Sequence, residues 1–323
     1  KIGCTGLLST PYRFIYILTK PYFSPRPCLY STLLLLATVT GIGASAGKLS
    51  NKSTDIVSLS PTLEQCLTQW REWQLEPALS EMPVVSAELG RGRTNRSYLL
   101  ATAQHQYVLR IHADSTAYSF NRQQEYRIQK AIAKTGIGSQ IYYQSPDDSY
   151  RVSAFIQGNT VNQLDTYNDE LLIPIINTIN QLHGVNLDLP CFSYTQRIKH
   201  YWQVLNQSTS VTSADSERHT RMLALCHQYE TNFGQQRHLC HHDLHGDNIL
   251  LANQAQTDQN IIFLDWEFAG LGIASFDFAA LACELSIDIS SISKYSGISA
   301  TELEMAASVY RYICEVYNRA IVC

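Results

Sequence analysis

The chain has 323 residues and a mass of 36.4 kDa, which is too much for one small module and suits two lobes or domains. Apolar residues make up 45% of it, enough to bury a sizeable core, so the composition excludes a wholly disordered protein. The formal net charge is −4, from 24 basic and 28 acidic residues. A protein that binds nucleic acid mainly through its phosphates needs an excess of basic residues, so we expect no nucleic-acid partner.

The nine cysteines are scattered along the chain and form no pair at the spacing of a zinc site. Most have apolar neighbours, as Cys226 and Cys283 do, which is typical of buried thiols that act as small hydrophobic side chains. Reduced thiols indicate a reducing compartment, so the sequence predicts a cytoplasmic protein.

Residues 1–60 differ from the rest of the chain. No charged residue occurs between Arg26 and Lys48, so this stretch is similar to a signal peptide or a membrane span. Prolines before the stretch and glycines within it weaken both interpretations. We predict that residues 1–60 are an N-terminal extension, either disordered or translated from upstream of the true start. The alternative is a membrane anchor at residues 27–47, without which no membrane association is expected.

The first half of the patterned body is rich in predicted strands. A helical pattern opens at Pro61 and runs to Trp73. Runs of alternating and β-branched residues bounded by turn residues predict five strands, at Val84–Leu89, Arg96–Ala101, Gln106–His112, Ile141–Gln144 and Tyr150–Ile156. One helix, over Tyr118–Lys134, is predicted to lie between the third and the fourth strand.

After Gly158 the pattern is mostly helical. Apolar residues at helical spacing predict helices over residues 171–182, 198–205 and 222–233, and Thr301 with Glu304 forms a capping box before a last helix. The sequence therefore predicts an α+β protein with a strand-rich lobe at residues 61–157 and a helix-rich lobe at residues 158–323.

The residues that carry chemistry lie in one short segment. His241, Asp243 and Asn248 form the pattern H-x-D-x-x-x-x-N, directly before a predicted hairpin whose second strand ends at Asp265. The hairpin brings Asp243, Asn248 and Asp265 to one point, as phosphoryl transfer requires. Asp243 can accept the proton of an attacking hydroxyl. Asn248 and Asp265 offer oxygen ligands for Mg²⁺, and His241 more readily props the loop by hydrogen bonding.

Two other interpretations of this segment stay open. It can be an ordinary polar turn beside a hairpin. It can also be the site of a metal hydrolase, because His241, His242 and His245 are crowded together and imidazole favours zinc or iron. Adjacent histidines point in divergent directions, however, and no distant histidine-rich segment supplies further ligands.

The strand-rich half offers groups for a nucleotide. The loop containing Gly90, Gly92, Thr94 and Asn95 lies between two predicted strands, where its amides can fold over phosphates, although a plain hairpin turn explains it equally well. Arg110 lies in the middle of a strand, where a charge needs a partner or a ligand, and Glu125 in the next helix is the candidate partner. A solvent-facing arginine is the alternative. The backbone at Phe155 and Gln157, at the lobe junction, is a candidate for pairing with adenine.

These motifs, in this order, resemble the protein-kinase-like small-molecule kinases: choline/ethanolamine kinases, thiamine kinases and aminoglycoside phosphotransferases. The segment Cys240–Leu250 is similar to their catalytic segment, Ile262–Gly270 to their "IDWEYAG" segment, and Phe276–Ala279 to the segment that follows. The resemblance covers residues 84–323. It implies a two-lobed fold with an antiparallel sheet in the N-lobe, a mostly helical C-lobe, and ATP and Mg²⁺ as cofactors.

The resemblance also implies roles for single residues. Asp277 would support the catalytic loop, and the acceptor alcohol would contact Asp243, His245, Glu267 and Glu284. A carboxylate with aromatic rings suits a cationic head group, but the late tyrosines Tyr310, Tyr312 and Tyr317 are more typical of a helix core.

We therefore expect an ATP-dependent kinase of a small cationic alcohol, choline or ethanolamine first, then thiamine, then aminoglycosides. A non-catalytic nucleotide-binding module is the alternative from another class, and the sequence carries no signal for oligomeric state.

Overall fold

The computed structural model describes residues 61–76, 78–91, 95–112, 120–164, 169–208, 211–253 and 261–322. The predicted N-terminal extension, with its uncharged run at residues 27–47, lies outside the described residues, as do Gly92 and Thr94 of the glycine-rich loop. In the part of the chain that the structure describes, no helix is long and apolar enough to cross a membrane.

The N-lobe is a five-stranded antiparallel sheet with one helix against it. Its elements are α1 (Leu63–Thr68), β1 (Val84–Arg91), β2 (Asn95–Ala101), β3 (Gln106–His112), α2 (Arg122–Ala133), β4 (Ile141–Gln144) and β5 (Tyr150–Ala154). The strand order is β1-β2-β3-β5-β4. All five predicted strands are confirmed to within two residues at each end.

The alternation of side chains on β3 gives the sheet two different faces. Tyr107, Leu109 and Ile111 are buried in the same apolar cluster as Trp70 and Trp73, which follow α1. Successive side chains of a strand point to opposite faces, so Arg110 projects from the other face, toward the C-lobe.

The C-lobe combines helices with two short sheets. Its elements are β6 (Gly158–Thr160), α3 (Asp169–His183), α4 (Tyr194–Ser208), α5 (Ser213–Phe233), β7 (His238–Cys240), β8 (Ile249–Ala252), β9 (Ile261–Phe263), β10 (Gly270–Gly272), α6 (Ala274–Leu285), α7 (Ile289–Ser296) and α8 (Ala300–Val322). The hairpin predicted between the catalytic segment and Asp265 is confirmed, because β8 and β9 pair antiparallel. Helix α6 packs against α3, α7 and α8 and is buried from Ser275 to Ala282.

One short strand was not predicted, and one predicted helix start was wrong. The chain after Gly158 starts as a strand that pairs with β8, and a Cβ at Gly158 would lie 2.2 Å from the carbonyl oxygen of Leu251, so only glycine permits this close approach. Helix α8 begins at Ala300, before the predicted capping box at Thr301. Ser299 acts as the cap, because its Oγ accepts a hydrogen bond from the backbone N–H of Glu302 at 3.3 Å.

The described cysteines are free thiols. Cys226 and Cys240 are buried as predicted, whereas Cys283 is only half-buried and Cys191 is exposed. A Cys with apolar neighbours in sequence can still lie on the outer side of its helix, which explains why the prediction was wrong for Cys283.

Candidate active site

The segment between β7 and β8, residues 241–248, is a loop held from below by Asp277 of α6. The Oδ2 atom of Asp277 accepts the backbone N–H of His241 at 2.9 Å, and Oδ1 accepts that of His242 at 2.8 Å. His183 Nε2 lies 3.0 Å from the same Oδ2. Burial alone would raise the pKa of Asp277, but the hydrogen bond with His183 holds that pKa below its ordinary value. Asp277 thus lies where the resemblance placed it, beneath the loop.

The two adjacent histidines point in opposite directions, as expected. His241 is fully buried, and its Nε2 lies 2.8 Å from the carbonyl oxygen of Leu264, so the ring ties the loop to the end of β9. Burial lowers the pKa of His241. This hydrogen bond is consistent with the predicted role of His241 in supporting the loop. Among the described residues, the one group with metal-ligand spacing is His183, Cys240 and Asp277, whose carboxylate is already taken up by the loop.

His242 has a left-handed backbone conformation, with φ of 66°, which an L side chain adopts only when its surroundings hold it there. Its Nδ1 lies 3.1 Å from the carbonyl oxygen of Phe268, and its Nε2 lies 3.1 Å from the hydroxyl of Tyr194. A carbonyl oxygen can only accept, so Nδ1–H donates to Phe268 O, and the unprotonated Nε2 accepts from the Tyr194 hydroxyl, which itself accepts the N–H of Ile273 at 3.0 Å. The ring is neutral with one defined tautomer, and burial lowers its pKa to about 4.

Asp243 and Asn248 are joined directly. The side-chain amide of Asn248 donates to the main-chain oxygen of Asp243 at 2.9 Å and to its Oδ2 at 3.1 Å. Both protons of the amide are used in this way, so its Oδ1 is left as a neutral oxygen ligand. Asp243 is partly exposed, which keeps its carboxylate within reach of a substrate.

The β8–β9 register brings Asp265 next to this pair. Ile249 is opposite Phe263, and Leu264 N donates to the carbonyl oxygen of Asn248 at 2.9 Å, so Asp265 follows immediately beside Asn248. Asp265 also has a positive φ, 62°, which turns the chain as the strand ends. An amide oxygen and a carboxylate form the hard donor set that suits Mg²⁺.

Arg110 reaches this point from the N-lobe. Its Nη2 donates to Asp265 Oδ1 at 2.6 Å and lies 3.7 Å from Glu267 Oε2. Burial opposes its charge, but the carboxylates of Asp265, Glu125 and Glu267 raise the pKa of Arg110 above its ordinary value. The arginine is therefore not solvent-facing, and it bridges the two lobes.

Glu267, predicted to contact the acceptor, lies against residues of the N-lobe. Its Oε2 accepts from Asn95 Nδ2 at 2.9 Å and from Arg122 Nη1 at 3.2 Å, both in the N-lobe. Burial, together with the charge of Asp265, raises the pKa of Glu267 to about 7. Three residues separate Glu267 from the end of β9, and in this short span the chain brings its side chain across to the N-lobe.

Glu125 was predicted to pair with Arg110, and the structure gives it other partners. It forms ion pairs with Arg122 at 2.8 Å and with Arg151 of β5. Burial would raise the pKa of Glu125, but the three arginines around it lower that pKa well below its ordinary value. Glu125 thus orders the arginines, and Arg110 is left to contact the C-lobe.

The junction between the lobes presents an apolar floor. Leu250, Ala252 and Ile262 are buried together, with Ile156 and Leu264 packed against them. The side chain of Phe155 instead lines a cavity of about 610 Å³ on the far face of the N-lobe, together with Tyr107 and Tyr142. The carbonyl oxygen of Gln157 accepts from Asn253 N at 2.9 Å. Of the junction segment, Ile156 packs at the floor, whereas Phe155 lines the cavity.

The predicted acceptor residues His245 and Glu284 lie on the other side of Asp243. His245 Nε2 is 3.6 Å from Asp243 Oδ2. Burial would lower the pKa of His245, but Asp243 raises it to about 9. Glu284 Oε1 accepts from the hydroxyl of Tyr310 at 2.7 Å, and burial raises the pKa of Glu284. Of the late tyrosines, Tyr310 contacts Glu284 through this hydrogen bond. Tyr312 instead forms a hydrogen bond with His219 at 3.0 Å and lies in the helix core.

Sequence reasoning missed four contributors to the site. His183, Tyr194, Arg122 and Arg151 are single polar residues inside otherwise ordinary helices and strands, at least 35 residues away along the chain from most of their partners. A basic residue on β5 beside Val152 was the one available signal, because a charge inside a buried strand needs a partner.

Comparisons with known proteins agree with this geometry. The family model for choline/ethanolamine kinase matches residues 86–319. LicA of Haemophilus influenzae is 25% identical over 193 residues, which are 59% of this chain and 55% of LicA, so the match spans about half of that relative. The crystal structure of choline kinase LicA from Streptococcus pneumoniae is similar with a TM-score of 0.58 at 20% identity, over 74% of this chain and 92% of that one.

A structure of LicA in complex with AMP is similar with a TM-score of 0.55 at 20% identity, over 80% of this chain and 97% of that one. These likenesses show the two-lobed fold, with its antiparallel N-lobe sheet and helical C-lobe. Since the family model matches residues 86–319, the chain belongs to the choline/ethanolamine kinase family.

Proposed function

We propose that this protein is an ATP-dependent phosphotransferase that phosphorylates the hydroxyl of a small cationic alcohol, choline or ethanolamine. The observation that carries the proposal is the hydrogen bond between the Asn248 amide and the Asp243 carboxylate, on a loop whose backbone is bound by Asp277. Asp265, hydrogen-bonded to Arg110, lies beside this pair. This arrangement supports one proton acceptor and two oxygen ligands for a metal ion around one point. A polar turn without function would not require a buried carboxylate beneath it, such as Asp277, that accepts hydrogen bonds from two backbone N–H groups of the loop.

In the proposed reaction the acceptor hydroxyl lies against Asp243. As its oxygen attacks the terminal phosphorus of ATP, the bond from that phosphorus to the ADP oxygen breaks, and the hydroxyl proton passes to the Asp243 carboxylate. The Asn248 amide donates one hydrogen bond to that carboxylate and one to the main-chain oxygen of Asp243, so Asp243 is positioned before the acceptor arrives.

Mg²⁺ would be held by Asn248 Oδ1 and the Asp265 carboxylate, and it would neutralise charge on the phosphates. The nucleotide phosphates would lie by the N-lobe arginines. Three buried N–H groups there, Arg110 Nε and Arg122 Nε and Nη2, have no acceptor among the described residues, which supports an anionic ligand at this place. The apolar floor of Leu250 and Ile262 suits the adenine ring. The solved LicA complex, which contains AMP, gives the same support.

The acceptor side supports a cationic alcohol. Glu284 lies two helical turns after Asp277 on α6, and its pKa is affected by the charges of both His245 and Asp243, so the three groups share one region. A partly buried carboxylate beside an aromatic ring favours an ammonium group. Free thiols at all six described cysteines support a reducing compartment such as the cytoplasm.

The test is a coupled ADP-release assay over choline, ethanolamine, thiamine and kanamycin. We expect turnover with choline or ethanolamine, and a preference for kanamycin or for none of the four would contradict the proposal. Asp243→Asn should lower kcat about 10²–10⁴-fold with ATP binding and thermal stability retained. The matched control is Asp247→Asn, a change of an exposed carboxylate in the same loop, which should leave kcat within about twofold.

A further inference from the structure

A cluster of aromatic rings beside the catalytic loop is filled by a cation of the chain itself. The guanidinium carbon of Arg197, on α4, lies 4.9 Å from the ring centroid of Phe192, 5.6 Å from that of Tyr201 and 5.7 Å from that of Phe268. Its Nη1 also donates to the hydroxyl of Tyr201 at 3.0 Å. A cation this close to several ring faces is attracted by their negative potential.

The cluster adjoins the proposed catalytic carboxylate. Phe192 stacks on His242, the residue before Asp243, with centroids 4.2 Å apart and an interplanar angle of 22°. Burial raises the pKa of Tyr201, and the charge of Asp243 raises it further, so this ring lies within the field of Asp243. The same holds for Tyr310. The Arg197 cluster thus contacts, through Phe192, the residue that precedes Asp243.

A quaternary ammonium group and a protonated amine need different surroundings. The quaternary group has no N–H and depends on ring faces, whereas the protonated amine donates strong hydrogen bonds to a carboxylate. Here the rings of the cluster are already occupied. Glu284 Oε1 accepts a hydrogen bond from the Tyr310 hydroxyl, and among the described residues no group donates to Oε2. The surroundings therefore suit an N–H donor.

The charges in the region point the same way. The guanidinium of Arg197 is a fixed positive charge at the ring faces, and His245 Nε2 lies 3.6 Å from Asp243 Oδ2. The positive charge of Arg197 reduces the negative potential that the rings would offer to a group that cannot hydrogen-bond. An ammonium group in this region would therefore be recognised by hydrogen bonds from its N–H groups to the Glu284 carboxylate.

We propose that Arg197 is a specificity-determining residue that excludes quaternary ammonium groups from the ring cluster, so that the acceptor is a small alcohol bearing an N–H ammonium group. This inference rests on the proposed function and narrows its acceptor to the ethanolamine type.

The test measures kcat/KM of the full chain for ethanolamine and for choline. The wild type should prefer ethanolamine. Arg197→Ala opens the rings and should raise the choline-to-ethanolamine ratio about 3–30-fold through a lower KM for choline, with the KM for ATP unchanged within about twofold. Tetramethylammonium should inhibit this variant more strongly than the wild type, by a similar factor. If Arg197→Ala folds poorly, Arg197→Met removes the charge, retains apolar contacts, and should change the ratio in the same direction.

Arg218 supplies the matched control. It is another arginine of the C-lobe over a tyrosine, 5.7 Å from the ring centroid of Tyr312, but it is exposed and pairs with Glu315. Arg218→Ala should leave the ratio unchanged. A wild-type preference for choline, or equal ratios in the wild type and both Arg197 variants, would overturn the inference alone. No turnover of any alcohol by the wild type would instead overturn the proposed function, and the inference with it.

Discussion

Arg110 of the N-lobe sheet and Asp265 at the end of β9 are joined by a hydrogen bond of 2.6 Å, 155 residues apart in the chain. The bond sets the proposed phosphate-side arginine directly against a proposed metal ligand. The position of the N-lobe over the catalytic loop is thus coupled to the geometry of the metal site.

Replacing Arg110 should therefore weaken nucleotide binding more than acceptor binding. Charged hydrogen bonds contribute about 1.5–3 kcal/mol, so Arg110→Met should raise the KM for ATP about 10–100-fold, with the acceptor KM changed far less. Steady-state kinetics with each substrate varied in turn measures both constants. Arg96→Met, on the neighbouring strand β2 and exposed, is the control that should change neither. Equal effects of Arg110→Met on both constants would contradict the assignment.

Asp277→Asn should destabilise the protein and slow the reaction together. The carboxylate accepts two backbone N–H groups from the loop with its two oxygens, and an asparagine offers one oxygen, so one donor would be left buried without an acceptor. We expect a loss of roughly 2–4 kcal/mol in the free energy of unfolding, measured by urea titration, and a lower kcat. Asp288→Asn, at the N-cap of α7, should be nearly neutral because asparagine caps a helix as well as aspartate does. If Asp277→Asn unfolded with the same free energy as the wild type, the loop would not depend on the hydrogen bonds from Asp277.

Two glycines of the same short strand should differ sharply. A Cβ at Gly272 would lie 2.2 Å from His242 Nε2 and 2.6 Å from the hydroxyl of Tyr194, whereas a Cβ at Gly270 would meet only Gln124 Nε2, at 3.5 Å. Gly272→Ala should cost about 1–3 kcal/mol of stability and lower kcat, because it displaces the residue before Asp243. Gly270→Ala should be tolerated. Thermal unfolding and initial rates of both variants check this, and equal behaviour would contradict the tight packing around His242.

His242 should make the protein sensitive to mild acid. Its pKa in the folded protein is lowered by burial from 6.5 to about 4, so its contribution to stability is complete above pH 6.5 and is lost as the pH falls toward 4. Asparagine tolerates a positive φ and has no proton to gain in this range, so His242→Asn should lose less stability than the wild type over the same interval, by about 2–3 kcal/mol. Urea titrations at pH 7 and at pH 4.5 measure the difference. If the wild type and His242→Asn lost the same free energy of unfolding between pH 7 and pH 4.5, a group other than His242 would be responsible for the acid sensitivity.

The sequence predicted the strands of the N-lobe and the convergence of Asp243, Asn248 and Asp265. Both depend on short-range patterns: alternation within a strand, and a hairpin that starts one residue after Asn248. It also placed Asp277 under the loop, from its resemblance to a known segment. The acceptor side was predicted as Asp243, His245, Glu267 and Glu284, and the structure places Glu267 against the N-lobe.

What the sequence determined alone is therefore local: the order of the elements, the catalytic loop and its hairpin, each set by hydrogen bonds between residues close together in the chain. Only the tertiary structure decided which carboxylate pairs with which arginine, that Glu267 turns to the N-lobe, and that Arg197 enters the ring cluster beside Asp243. Long charged side chains have several partners within reach, and the choice among them depends on the spacing of packed elements, which no pattern along the chain records.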